Sequence, residues 1–365
     1  MQKSLAFNGR RTAGTNGRGH VLITGGAGFV GTNLADRLLE QGRRVIVLDT
    51  LVRPGVERNL RWLQARHGDR LQALRADVRD VGPLREAVAA AESVFHLAAQ
   101  VAVTTSLDEP LDDLDVNLCG TVALLEELRR LRRPVPLLFT STNKVYGPLD
   151  DVELERKGDR WLPRDEVLRR RGVGEERPLE FRTPYGCSKG AADQYVVDYA
   201  KTFGLPATVF RMSCIYGSHQ HGTEDQGWVA HFLRRARAGE TITVYGDGAQ
   251  VRDVLHVRDL VDAMLHVAAE PGRHAGCVYN VGGGPAAEIS LLELLRLIGD
   301  LEGHDPIVEF AEPRTGDQLW YVSDNSRLCA ATEWRPTLGT AEGIADLHRW
   351  LVAESSPRAA AASAG

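Results

Sequence analysis

Two groups of residues have types and spacings that could do chemistry. In ITGGAGFVG, Gly25, Gly28 and Gly31 stand three apart at the passage from an apolar run to an amphipathic one. Glycine there lets the backbone turn tightly and approach a pyrophosphate, which then rests on a helix N-terminus. Asp49 closes the next apolar run, eighteen residues after Gly31, where a carboxylate can accept from ribose hydroxyls and repel a 2'-phosphate. This favours NAD over NADP, although Arg53 stands close by. The second group is Tyr185 and Lys189, four positions apart and so on one face of a helix, with Thr142 at the end of an earlier apolar run. A phenol must be lowered by about 3 pH units, roughly 4 kcal/mol, to act as a base near neutrality. A nearby ammonium and a positively charged nicotinamide can lower it, so the trio suits proton removal from an alcohol during hydride transfer.

The elements that must position these groups follow from the hydropathy pattern. Short apolar runs (HVLITG, RVIVLD, LQALRAD, SVFHLAA, PLLFTST) alternate with amphipathic stretches of helical length at about 28–41, 82–91 and 112–131. Strands apolar on both faces and separated by helices predict an α/β fold, a doubly wound parallel sheet with helices on both faces. ATVFRMS and CVYNVGG resume the pattern later. The more irregular segments place a smaller, sequence-discontinuous C-terminal substrate lobe at 214–250 and 284–353. The dinucleotide domain then takes 19–213 and about 251–283. Residues 1–18 and 354–365 are rich in Gly, Ser, Ala and Arg without an apolar face, and are expected to be disordered tails.

Bulk properties narrow the partners. The 365 residues exceed what one core usually holds, and a net charge of −5 without a basic run gives no reason to expect nucleic acid or an anionic membrane. Five scattered cysteines without a CxxC argue against a disulfide framework and a zinc site. With no apolar run of spanning length and no signal-peptide pattern, a cytoplasmic protein is expected.

The sequence resembles the extended short-chain dehydrogenase/reductases over nearly all of 19–352. Within them it resembles the branch of CDP-tyvelose (CDP-paratose) 2-epimerases. The motifs that carry this are QVAVTTS at 100–106, STNKVYG at 141–147, TPYGCSKGAADQY from Thr183, DQGWV at 225–229, QVRDVLH at 250–256, and Asp317-Gln318. The branch has Ser where Thr183 stands.

The resemblance implies a Rossmann domain, tightly bound NAD regenerated in each cycle, and a nucleotide-sugar substrate, with a CDP-hexose favoured. Catalysis falls to Thr142, Tyr185 and Lys189. The cofactor set is Gly25, Gly28, Phe29, Val30, Gly31, Asp49, Asp77, Val78, Leu97, Ala98, Ala99 and Gln100, together with Tyr185 and Lys189. The substrate set is Val101, Thr142, Asn143, Gln226, Trp228, Arg252 and Arg314. Without the resemblance, Asp77 reads equally as a helix cap, and the two arginines as surface ion-pair partners. A homodimer through the YxxxK helix and the 112–131 helix is implied, and no metal.

Sugar 4,6-dehydratases of the same superfamily carry Asp-Glu directly after the catalytic hydroxyl, because water must leave and a proton must be shuttled. Here these positions are Asn143 and Lys144, so no elimination is expected. The activity implied is epimerisation at C2 by transient oxidation, sugar rotation and hydride return. A UDP-hexose 4-epimerase using the same residues, and a non-catalytic NAD-binding scaffold, are the alternatives. Two segments stay open: 148–183 reads as a solvated insertion or a lid, and SHQHGTEDQGW as a wall of the substrate pocket.

Overall fold

The computed structural model describes residues 19–314 and 316–354. The expected tails at 1–18 and from 355 onward lie outside the described residues. The apolar runs form the strands β1 (His20–Thr24), β2 (Val45–Asp49), β3 (Leu71–Arg75), β4 (Ala91–His96) and β5 (Leu137–Thr142). The hairpin β6 (Leu154–Lys157) and β7 (Arg160–Pro163) follows, then β8 (Ala207–Met212), β9 (Cys214–Tyr216), β10 (Ile242–Tyr245), β11 (Val251–His256) and β12 (Val278–Val281). The last strands are β13 (Glu288–Ser290), β14 (Val308–Ala311) and β15 (Trp320–Tyr321).

A seven-stranded sheet runs β12-β8-β5-β4-β1-β2-β3, and every neighbouring pair in it is parallel. Its strands are apolar on both faces because both are covered. Leu34, Leu38 and Leu63 of the helices Phe29–Glu40 and Val56–His67 pack on one face with Leu260 and Met264. Leu84, Leu124, Leu128, Ala192 and Val196 of three other helices pack on the opposite face. Strand order reverses between β1 and β4, and at such a switch point the loops leaving the two strand ends part to leave a crevice.

A second core joins Val229, Phe232, Leu233, Val244, Leu294, Ile298, Ile344 and Leu347. Around it β11 pairs with β9, β13 and β15, and β10 with β14. Of the stretch 251–283 expected to contribute to the dinucleotide domain, β12 lies in the large sheet, whereas β11 lies in the small one and pairs with β9, β13 and β15.

The 148–183 segment is neither a solvated insertion nor a lid, but a clamp docked on the rest of the chain. Its Leu154, Leu162, Leu168 and Val173 join a cluster with Val145, Tyr146, Trp320 and Tyr321. The Trp161 indole donates to Asp247 Oδ2 at 2.9 Å, and Arg160 bonds Glu293 at 2.7 Å and Glu288 at 2.6 Å. Val173 N donates to Val322 O at 2.7 Å, and Glu180 N to Val145 O at 2.9 Å. Arg160 thus has its charge partners in the C-terminal region, while the segment's backbone reaches both regions, which composition alone does not reveal.

Candidate active site

The turn after β1 is shaped by close backbone approach. Gly25 has φ +67°, and a Cβ there would lie 2.7 Å from Ala98 N, in the loop after β4. A Cβ on Gly31 would lie 2.5 Å from Gly25 O. Gly28, at the head of the Phe29–Glu40 helix, would meet only Gly25 O, so its outer side is open. This opening leads into a cavity of about 590 Å³ at the β1/β4 crevice, a size suited to a cofactor.

All fourteen predicted cofactor residues line this cavity: Gly25, Gly28, Phe29, Val30, Gly31, Asp49, Asp77, Val78, Leu97, Ala98, Ala99, Gln100, Tyr185 and Lys189. Asp49 Oδ2 accepts from Ala27 N at 3.0 Å and Oδ1 from Leu51 N at 2.9 Å. Each oxygen keeps a lone pair for a hydroxyl donor. The hydroxyl of Ser141, on the cavity wall, is buried without a partner among the described residues. The backbone cradle, the carboxylate and this orphaned hydroxyl fit a dinucleotide. Asp77 is placed at the cavity, but its carboxylate is taken by Arg79 at 2.7 and 2.9 Å, which holds it below the usual carboxylate range.

Next to Ser141 of the cavity wall, Thr142 closes β5 and its hydroxyl accepts from Lys144 N at 3.2 Å. The Tyr185 phenol shares a hydrogen bond with Thr142. Tyr185 N donates to Ser106 Oγ at 3.2 Å, which fixes the start of the Thr183–Phe203 helix. Lys189, one turn on, directs its Nζ to Thr140 O at 2.6 Å and over the Phe139 ring, 4.2 Å from its centre.

The charge states correct one expectation. Burial pushes the Tyr185 phenol up to about 12, with Asp113 adding to the rise and the Thr142 bond and Arg53 opposing it. Burial also brings Lys189 down to about 7, against the pull of Asp193 and Asp113. The lysine therefore does not by itself lower the phenol. Desolvation dominates, and an added positive charge has to supply the rest.

Behind the pair lies a network that sequence reasoning missed. Ser188 Oγ donates to Asp113 Oδ2, and Asn117 Nδ2 donates to Asp113 Oδ1 and to Ser188 Oγ, each at 3.1 Å. The i, i+4 spacing of Asp113 and Asn117 was the available signal. A buried ion pair of Arg211 with Asp193, both bonds at 2.9 Å, anchors the same helix to β8.

The predicted substrate residues divide into two sets. Val101 and Gln226 line the cofactor cavity, whereas Thr142, Asn143, Trp228, Arg252 and Arg314 are not on its wall. Asn143 Oδ1 accepts from the Thr142 hydroxyl at 3.4 Å, and Trp228 bonds Cys214. Arg252 bonds Asp317 Oδ1 at 2.5 Å. Arg314 donates to Glu224 O at 3.1 Å and lies over the Tyr245 ring.

SHQHGTEDQGW lines the same cavity as the glycine turn. His219, Gln220, His221, Thr223 and Gln226 form a wall of the cofactor cavity. Arg53 bonds Gln226 across the cavity mouth. Asn59, also missed, donates to Ala27 O at 3.2 Å and His219 O at 3.1 Å, tying this loop to the glycine turn. His219 packs on Trp62 and Trp350, and burial pulls both histidines down to about 4.

Comparison with known proteins agrees with this geometry. The family described as "NAD dependent epimerase/dehydratase family" matches residues 21–282. The chain belongs to this NAD-dependent epimerase/dehydratase family. It is 38% identical to the CDP-paratose 2-epimerase of Salmonella typhi over 90% of this chain and 98% of that protein. It is 33% identical to the UDP-glucose 4-epimerase of Mycolicibacterium smegmatis, over 89% and 96%. The crystal structure of the dTDP-glucose 4,6-dehydratase DesIV of Streptomyces venezuelae, with NAD bound, superposes with a TM-score of 0.78 at 30% identity, covering 92% of this chain and 97% of that one. As a member of this family the chain uses NAD, and the residues lining the cavity described above fit it.

Proposed function

We propose that this family member is a nucleotide-sugar epimerase that inverts C2 of a CDP-hexose. The observation that carries the proposal is the end of β5: Thr142 and Tyr185 share a hydrogen bond, and the next two residues are an amide and an ammonium rather than a pair of acids. A site that eliminates water needs groups to take and give protons at a second carbon. Asn143 and Lys144 offer no carboxylate, so the chemistry ends with oxidation and return. The 38% identity to a CDP-paratose 2-epimerase supports the same choice.

In this cycle Thr142 holds the sugar hydroxyl and Tyr185 takes its proton. Lys189 orients the cofactor ribose and adds positive charge. NAD supplies the acceptor, and later the donor, of the hydride. Arg252 and Arg314 hold the diphosphate while the keto sugar turns, a fitting use of fork-shaped cations on phosphate oxygens. Both arginines now face carboxylates, Asp317 and Glu224, which the phosphates would displace or share.

A 4-epimerase acting on a UDP-hexose is the second reading, favoured by the 33% identity to a UDP-glucose 4-epimerase. The test offers the purified protein CDP-, UDP-, GDP- and dTDP-hexoses and follows each carbon by NMR. Inversion at C2 of a CDP-sugar is expected; inversion at C4 with C2 untouched would sink the proposal. No turnover of any sugar would return the chain to the scaffold reading.

A further inference from the structure

Lys144 has a place that the proposed cycle does not use. Its backbone N–H is bonded to the Thr142 hydroxyl at 3.2 Å, so the residue is fixed beside the group that meets the reacting alcohol. Its Nζ donates to Gln318 Oε1 at 3.2 Å. Gln318 is itself locked, 1% exposed, with Nε2 donating to Gly147 O at 2.6 Å. An ammonium has three donors, and Gln318 satisfies one of them.

The charge around it is unbalanced. Arg252, its side chain 7% exposed, and Lys144 both draw on one carboxylate, Asp317, which also accepts from Gln318 N at 3.0 Å. Against its own burial, these two cations hold Asp317 below the usual carboxylate range. Burial and Arg252 pull the Lys144 ammonium below its ordinary value, against the pull of Asp317; two basic groups thus share one carboxylate in a largely desolvated place, and a further anion would meet the charge that Asp317 leaves uncovered.

Resting on the epimerase reading above, we propose that Lys144 selects the carbon that is oxidised: with Arg252 it binds the sugar-proximal phosphate beside Thr142, so that C2 rather than C4 faces Tyr185. The reason is geometric. In a sugar nucleotide the phosphate is carried on C1. C2 is bonded to C1, while C4 lies across the ring. A phosphate-binding cation next to the catalytic hydroxyl therefore suits oxidation at C2, and oxidation at C4 needs that cation a ring's width away. Lys144, two positions from Thr142, is the near kind. It is a positioning residue, since the proton and hydride pass through other groups.

The test uses the NAD-loaded enzyme and three variants: Lys144→Met, which removes the charge; Lys144→Gln, which keeps a donor for Gln318; and Lys144→Arg, which keeps the charge. NMR first fixes the carbon that the unaltered enzyme inverts. Then kcat and KM are measured, with the affinities for CDP and CMP by calorimetry. Loss of a charge-assisted bond should lower kcat/KM at C2 by roughly 10- to 100-fold in the Met and Gln variants, mainly through KM. It should shrink the preference for CDP over CMP by about tenfold, with Lys144→Arg recovering most of both. NAD content should stay at the wild-type level. If the unaltered enzyme inverts only C4, the C2 reading fails and takes this inference with it. If it inverts C2 while Lys144→Gln keeps wild-type kcat/KM and the same CDP preference, the inference alone is refuted.

Discussion

Replacing Tyr185 by Phe removes one oxygen and leaves the ring packed as before, and the structure gives two magnitudes for the change. The first concerns catalysis. Loss of a positioned proton acceptor costs roughly 10²- to 10⁴-fold in rate, so turnover should fall to near background while NAD stays bound. The second concerns stability. The folded protein holds the phenol at about 12 against an ordinary value of 10.0. A raised folded-state value means that the native state keeps its proton longer than the unfolded chain. This contribution is fully present below pH 10 and is lost as pH rises through 12. At about 1.36 kcal/mol per unit, the wild type should lose on the order of 1 kcal/mol relative to Tyr185→Phe by pH 11 and on the order of 3 kcal/mol in all. The assay is urea unfolding of NAD-free wild type and variant at pH 8, 9, 10 and 11, beside NMR turnover assays of the loaded forms. Full activity in the variant would refute the base. Parallel pH dependences of the two stabilities would refute the burial argument.

Two further substitutions probe the frame around the site. Gly31→Ala puts a Cβ 2.5 Å from Gly25 O and 2.6 Å from Gly26 Cα, so the glycine turn must shift. A loss of about 1–3 kcal/mol is expected, with the absorbance ratio of the purified protein showing depleted NAD; an unchanged melting temperature and full NAD would contradict it. Asp193→Asn leaves Arg211, 5% exposed, without its charge partner. Removing one member of a buried pair costs about 3–5 kcal/mol, and urea unfolding showing a loss under about 1 kcal/mol would oppose this role.

How much of this could be read from the sequence depends on whether the signal is local. The strands β1 to β5 were legible because burial on both faces writes an unbroken apolar run, and the glycine turn because its spacing is set by one tight bend. All the residues assigned to NAD line the cavity; most lie at strand ends or helix starts that the alternating pattern marks, and Tyr185 and Lys189 share one face of the Thr183–Phe203 helix. Contacts made across long separations left no such mark. Asn59 reaches a loop 160 residues away, and Arg53 reaches Gln226 over 173. The 148–183 segment looked solvated because its charges were visible and their partners, such as Asp247 and Glu293, were not. The pairing of β11 in the small sheet was not legible, because a strand's sequence does not name its neighbour. The rise of the Tyr185 phenol escaped for a related reason: YxxxK shows the ammonium but not the burial that outweighs it.

These opposed shifts bear on how one tyrosine can serve both halves of the proposed cycle. With Tyr185 near 12 and Lys189 near 7, the protein by itself keeps the proton on the phenol at neutral pH. Such a phenol must first give up its own proton, and it would then take one from the sugar hydroxyl only while extra positive charge lies beside it, as a bound oxidised nicotinamide would supply. After hydride transfer that charge is gone, and the same burial favours the protonated phenol but not its release. The proton can then return to the sugar oxygen only as the hydride returns and that oxygen becomes an alkoxide. A tyrosine held down at all times would be a good base for the first step and a poor acid for the last. Burial that raises it, offset by charge present in only one redox state, couples proton transfer to hydride transfer in both directions.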